Sequence, residues 1–211
     1  MIPTVEIEQS FWDQGMRAVA GLDEVGRGPW AGPVTAAAVV LPPCAPVLEA
    51  LQEVRDSKQL SARRREALFD RIQETAATMG VGAATAQEID ALGIVPATRL
   101  AMRRALAKLD IPPEALILDA LHLPEIALPQ RAFPRADAHS LSVAAASIVA
   151  KVVRDRWMAE TAESDYPGYG FAQHKGYGTR QHREALECLG VCPIHRRSFR
   201  PVALRLEAGR A

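Results

Sequence analysis

The chain is poor in cysteine and in long apolar runs, and each shortage closes off a class of protein. Three cysteines in 211 residues, Cys44, Cys188 and Cys192, are too few and too unevenly spaced for a disulfide framework, so a hydrophobic core must hold the fold. No apolar stretch reaches the roughly 18 residues that a membrane-spanning helix needs. The opening segment, MIPTVEIEQSFWDQG, has no basic stretch followed by an apolar one. A secretion signal is therefore not expected, and the cysteine usage fits a reducing cytoplasm. Net charge is absent too, with 25 Lys+Arg against 25 Asp+Glu, but the zero hides a gradient. Residues 171–211 carry eight Lys+Arg and three Asp+Glu, which leaves the rest of the chain acidic. A basic tail on a chain with clustered acids can hold a polyanion near a metal site, although a solvated surface with chance asymmetry accounts for the charge equally well.

What is present is ordinary for one globular core: 48% of the residues are hydrophobic and 24% charged. Residues 17–22 (RAVAGL) and 34–41 (VTAAAVVL) read as two strands of an antiparallel hairpin, the second closed by Pro42 and Pro43. Ser61 is placed to cap a helix running to about Thr78, and 81–86 reads as a third strand. Residues 97–109 are helical by pattern, with Leu100, Ala101, Ala105 and Leu106 on one face. Residues 116–119 (LILD) and 132–136 read as short strands, each leading to an acid, and 140–157 as a long helix rich in small residues. Residues 166–178 read as a Gly- and aromatic-rich loop, and Thr179 caps a last helix that Gly190 stops; everything from Pro193 onward reads as irregular and basic. The order predicts a mixed sheet flanked by helices, with parallel crossovers in its second half.

Three of these strands end in carboxylates: Asp23 with Glu24, then Asp119, then Asp137. Strand ends on one edge of a sheet converge, and four carboxylates brought together repel until one takes up a proton or a cation joins them. Hard oxygen ligands suit Mg²⁺ or Mn²⁺, and two such ions about 4 Å apart can activate water and stabilise a leaving oxygen in phosphodiester cleavage. Neighbouring strand residues face opposite sides, so Asp23 and Glu24 reach one centre only if the following glycine loop relaxes the strand or Glu24 reaches round its end. For any one of these acids taken alone, a surface charge is the ordinary reading.

Two rival readings are set aside. The glycines of GLDEVGRGPWAGPV resemble the start of a dinucleotide-binding turn, but Pro29, Pro33 and a strand-like run follow where a helix would have to begin. His182, Cys188, Cys192 and His195 lie close in sequence, yet they lack the paired-cysteine spacing of a zinc site. The glycines serve better to bring backbone N–H and C=O groups close to a ligand.

In order along the chain, GLDEVGRGPWAGPV, DSKQLSARRRE (56–66), LILDALHLP (116–124), ADAHSLSVAAASIVAKVVRD (136–155), HKGYGTRQHREAL (174–186) and CPIHRRSF (192–199) resemble the signature blocks of the ribonuclease HII (type 2 ribonuclease H) family. The likeness spans about residues 17–201. It implies an α/β, ribonuclease H-like, mixed five-stranded sheet flanked by helices, with a small helical C-terminal part. The implied layout is a lead-in over 1–16, a catalytic domain over 17–165 and a substrate-binding segment over 166–211. The implied activity is endonucleolytic hydrolysis of the RNA strand in RNA–DNA hybrids, with nicking 5′ of single ribonucleotides in duplex DNA by two-metal-ion catalysis, leaving 5′-phosphomonoesters. Asp23, Glu24, Asp119 and Asp137 would hold two Mg²⁺ or Mn²⁺ ions. Gly26, Arg27 and Gly28 would contact the 2′-OH through the backbone, Tyr177 would stack at the nucleotide 3′ of the ribonucleotide, and Ser57, Lys58 and Lys175 would meet phosphates. Tyr177 read without the resemblance is a packed loop aromatic. The chain departs from the family pattern at Ala120 and Ala136, where Gly is usual, and at Gly93, where Asn is usual. An inactive hybrid-binding module and a nuclease of this fold acting on another substrate, such as a DNA junction, are the competing functions; the four acids oppose the first, and the glycine loop with Tyr177 opposes the second. The partner expected is a hybrid or ribonucleotide-containing duplex, and the chain is expected to act as a monomer with no membrane association.

Overall fold

β1 (Val19–Val25) and β2 (Val34–Val40) form the expected hairpin, and β1 runs straight through the two acids instead of stopping before them. In this computed structural model, which describes residues 2–55, 57 and 60–208, the pairing stays regular to Asp23↔Ala37, Glu24↔Ala36 and Val25↔Thr35. The loop of residues 26–33 follows. β3 (Thr78–Ala84) pairs antiparallel with β2, while β4 (Ala115–Asp119) pairs parallel with β1 and β5 (Gln130–Phe133) parallel with β4. The five-stranded order is β3-β2-β1-β4-β5, which puts the acid-bearing β1 at the centre. This is the mixed sheet that the sequence predicts.

Alternation along the central strands sends side chains to two helical layers. Ala37 and Val39 pack on α3 (Ala62–Thr75) and α6 (Leu141–Ala159). Ala20, Leu22, Ala36, Ala38, Leu116 and Leu118 pack on the other side with Ala97, Ala101, Met102 and Ala105 of α5 (Ile94–Leu106). Gly21 is required by the α6 layer, because a Cβ there would collide with the backbone of Ser142 and Val143.

Several boundaries differ from the sequence reading. α3 ends at Thr75, leaving Thr78 to open β3, and Ser61 caps it by accepting from the Arg64 N–H at 3.3 Å. α5 starts three residues before the predicted 97, since Pro96 sits in its first turn where no N–H is needed. The expected strand over 132–136 is displaced to Gln130–Phe133, and Ala136 belongs instead to a 3₁₀ turn (Ala136–Ala138) that precedes α6. The loop over 166–178 contains the short α8 (Phe171–His174), and the tail after 193 contains α10 (Arg200–Ala208). Also unforeseen are α1 (Glu6–Trp12), α2 (Ala45–Ala50), α7 (Thr161–Asp165) and α4 (Ala86–Leu92), the last opened by a reciprocal Thr85–Glu88 capping box. α9 (Arg180–Leu189) is capped by Thr179 as expected.

α1 is more than a lead-in. Its buried Glu8 accepts from the Ser140 and Ser142 hydroxyls at 2.6 and 2.7 Å and from the Ser142 N–H at 2.9 Å. A carboxylate thereby sits on the N-terminus of α6, where the helix dipole favours it. No helix among the described residues is long and apolar enough to cross a membrane.

Candidate active site

Parity on the sheet decides which acids can meet. Asp23 shares the α6 side of β1 with Gly21, and Asp119, next in register after the Leu22↔Leu118 pair, shares the corresponding side of β4 with Ile117. Asp137 arrives on that side from the 3₁₀ turn before α6. Asp119 Oδ1 accepts from the Ala136 N–H at 3.0 Å, which fastens the end of β4 to the turn carrying Asp137. Glu24 leaves β1 on the opposite face, and the strand does not relax to turn it; its carboxylate meets Arg27 Nη1 at 3.2 Å. The residues flanking the acids are strained, with Ala120 and Arg135 at φ of 59° and 63°.

Asp23 and Asp137 are both buried. Burial is the largest influence on Asp23 and pushes its carboxyl well above the usual range; the charges of Glu24 and Asp119 push the same way, as does that of Asp137 more weakly. The Glu24 N–H, donating to Asp23 Oδ1 at 2.7 Å, opposes them. Three further negative charges therefore act on one buried carboxyl. Among the described residues, no three His, Cys, Asp or Glu side chains stand close enough to enclose a metal ion by themselves. The oxygen-only donor set suits a hard divalent cation, and its excess negative charge is what such a cation would neutralise. An open site of this kind matches the habit of Mg²⁺, which keeps waters and takes substrate phosphate oxygens in place of a full protein cage.

The loop after β1 is held from behind by two buried arginines that sequence reasoning missed. Arg154 of α6 donates from Nε to the Pro33 carbonyl at 2.8 Å, from Nη1 to that of Lys175 at 3.1 Å and from Nη2 to that of Ala31 at 3.2 Å. Arg196 donates from Nε to the Gly32 carbonyl and from Nη1 to that of Arg27, both at 3.0 Å, and from Nη2 to that of Gly26. Burial lowers the affinity of both for protons, Arg154 to about 10 and Arg196 to about 9, so both stay charged near neutrality. The signal that could have found Arg154 is its register: with Ser147, Ala150 and Met158 it falls on the buried face of α6.

These clamps orient amides. A trans peptide points its C=O and the following N–H in opposite directions. With the Gly26 and Arg27 carbonyls turned inward to Arg196, the N–H groups of Arg27 and Gly28 turn away from it, and among the described residues neither donates to a protein acceptor. Gly26 has φ of 89°, and a Cβ there would strike the Arg154 side chain.

The Tyr177 loop is joined to the same structure. The Trp30 N–H donates to the Gly176 carbonyl at 2.8 Å, and Arg154 bridges Lys175 to Ala31 and Pro33. Tyr177 is 41% exposed, with Lys151 Nζ 5.9 Å from its ring centre. Lys175 sits nearby with φ of 53°, and its ammonium donates to the Ala172 carbonyl. Ser57 is buried, with its hydroxyl 2.7 Å from that of Ser147. Lys58 lies outside the described residues. The three family departures have distinct settings: Ala120 takes a left-handed φ, Ala136 is fully buried, and Gly93, at φ of 83°, precedes α5 without a side-chain cap.

The family model described as Ribonuclease HII matches residues 20–202 of this chain. Ribonuclease HII of Chloroflexus aurantiacus is 55% identical over 205 residues, covering 96% of this chain and 95% of its own. Ribonuclease HII of Thermus thermophilus is 53% identical over 197 residues, covering 93% of each. The crystal structure of the ribonuclease H2 from Pyrococcus horikoshii superposes with a TM-score of 0.74 at 30% identity, covering 91% of this chain and 98% of that one. A Bst-RNase HIII crystallised with Mn²⁺ shares the fold, with a TM-score of 0.71 at 21% identity over 92% of this chain and 71% of that one.

Proposed function

Since the chain belongs to the ribonuclease HII family, whose members hydrolyse phosphodiester bonds of RNA in RNA–DNA hybrids, we propose that it also nicks duplex DNA 5′ of single embedded ribonucleotides. The observation that carries this reading is the pair of outward-turned amides, Arg27 N–H and Gly28 N–H, in the loop that leaves the acid-bearing strand. The 2′-OH is the group that separates RNA from DNA, and backbone donors held rigidly beside the reacting phosphate can select it.

Asp23, Asp119 and Asp137, with Glu24 from the other face of β1, would hold two divalent cations, Mg²⁺ or Mn²⁺. When bound, the cations supply water activation and neutralise charge at the scissile phosphate. The protein's own part is positional. The Asp119–Ala136 bond fixes two of the acids relative to each other. The two arginines place the reading amides, and their buried positive charges add an attractive field for a phosphodiester. Tyr177 presents its ring to the nucleotide 3′ of the ribonucleotide. Residues 166–208 thereby complete a surface begun by the hairpin, with Lys175 facing phosphate. The buried Ser57 hydroxyl would reach phosphate only by leaving Ser147.

The test is an incubation with Mg²⁺ of a DNA duplex holding one ribonucleotide, beside an all-DNA duplex. A nick 5′ of the ribonucleotide, absent from the all-DNA control and lost in Asp23→Asn with binding kept, is expected. A cleaved all-DNA duplex would overturn the 2′-OH reading, and turnover by Asp23→Asn would overturn the role of that acid.

A further inference from the structure

Beneath Tyr177 lies a group of three histidines on which the proposed chemistry does not call. His174, His182 and His195 are all buried, and Phe171 packs against each ring at 5.5 to 5.9 Å. His174 and His182 stack at 4.4 Å with an interplanar angle of 12°. His182 Nε2 lies 3.0 Å from His195 Nε2, so one of the two nitrogens carries the shared proton. The backbone decides which. The Cys192 N–H donates to His195 Nδ1 at 3.0 Å, which makes that nitrogen an acceptor and puts the His195 proton on Nε2. His195 Nε2–H therefore donates to His182 Nε2, and the His182 proton is left on Nδ1, 3.0 Å from the Tyr177 carbonyl. His174 is fixed independently: the Gly176 N–H donates to its Nδ1 at 3.1 Å, so its Nε2–H donates to the Tyr169 carbonyl at 2.8 Å.

We propose that His182 is a positioning residue for Tyr177: held in its Nδ1–H form by His195, it fixes the Tyr177 carbonyl and so the direction in which the phenol leaves the loop. The proposal rests on the reading of Tyr177 as a substrate contact. The remaining restraints on Tyr177 are local, its N–H to the His174 carbonyl and its carbonyl to the Thr179 N–H. The His182 bond is the one that ties it to the 192–196 segment, from which Arg196 also reaches the amide loop. The two halves of the reading surface thus share an anchor.

The test compares His182→Asn with His182→Gln. The Asn amide superposes on the Nδ1 position and can still donate to Tyr177; the Gln amide superposes on Nε2 and keeps only the link to His195. Steady-state nicking of the single-ribonucleotide duplex is measured for both, with Tyr177→Ala alongside. His182→Gln is expected to lose about tenfold in kcat with KM little changed, an effect near 1.4 kcal/mol, while His182→Asn stays within about threefold of the parent. Equal rates for the Asn and Gln variants, with Tyr177→Ala impaired, overturn the proposal alone. An unimpaired Tyr177→Ala overturns the substrate role of Tyr177 and the proposal with it. Should either variant fold poorly, the tautomers are read on the unaltered protein from ¹⁵N shifts of the imidazoles. An Nε2–H form of His182 refutes the proposal, and the Nδ1–H form supports it.

Discussion

Replacing Arg154 with Met tests the clamp behind the loop most directly. The side chain is fully buried and lies on three carbonyls, and burial lowers its pKa from 12.5 to about 10. That depression corresponds to roughly 3 kcal/mol charged against keeping the guanidinium ionised in place. Against it stand three charge-assisted hydrogen bonds at about 1.5 to 3 kcal/mol each. Met fills similar space and removes the cost of the buried charge, but it leaves the carbonyls of Pro33, Lys175 and Ala31 without the donors they now share. The net loss is expected to be about 2 to 5 kcal/mol, since the terms are not additive and the loop can relax. In a chain of this size a loss of about 3 kcal/mol lowers Tm by roughly 6 to 12 °C. Urea and thermal unfolding measure it, and nicking of the ribonucleotide duplex should fall with it because the clamp spans both loops. Lys is not a substitute, because one ammonium cannot reproduce the planar fork. A Met variant within about 1 kcal/mol of the parent would refute the claim that these bonds outweigh the buried charge.

Three further outcomes follow from the packing and the titrating groups. Gly21→Ala drives a Cβ into the α6 backbone at Ser142, so a loss of about 3 kcal/mol or more is expected, read as a lower Tm, together with loss of cleavage as the Asp137 turn shifts from Asp23. Ala120→Gly removes a left-handed φ from a residue with a side chain and should raise stability by about 0.5 kcal/mol after the added freedom of the unfolded chain, read as a slightly higher Tm; a lower Tm would contradict the strain. Burial, and in smaller part the neighbouring imidazoles, hold His182 and His195 down at about 4, so both stay neutral in the fold while the unfolded chain takes protons from about pH 6.5 downward. Their stabilisation is complete above pH 6.5 and lost as pH falls toward 4. By pH 5 the loss is roughly 2 kcal/mol per histidine, so urea midpoints should fall less between pH 7.5 and pH 5 in His182→Asn than in the parent.

Much of this was readable from residue order, and the misses have physical causes. Asp23 with Glu24 and Asp119 stood out because they close apolar runs, and β4 ends at Asp119 as read. Polar residues look like strand ends, yet β1 continues to Val25 because β2 goes on pairing with it through Asp23, Glu24 and Val25 whatever the side chain. The short helices α1, α2 and α10 gain their stability from packing rather than from local propensity, so pattern alone passed over them. The Thr85–Glu88 box was legible and overlooked. Arg154 and Arg196 give no local signal of their role, because nothing in the sequence around them tells that a cation will meet backbone carbonyls 121 and 170 residues away. The histidines belong to the same class: the spacing of His182 and His195 spoke against a zinc site, but only tertiary packing makes them donor and acceptor for each other.

Those sequence separations also set a timetable for synthesis. The hairpin with the amide loop leaves the ribosome early and β3 follows about 40 residues later, whereas β4 brings Asp119 to the side of Asp23 only about 95 residues after that acid. Arg196, which turns the Arg27 and Gly28 amides outward, comes later still. A translation product interrupted before this arginine carries all four acids beside a loop whose amides nothing yet turns outward.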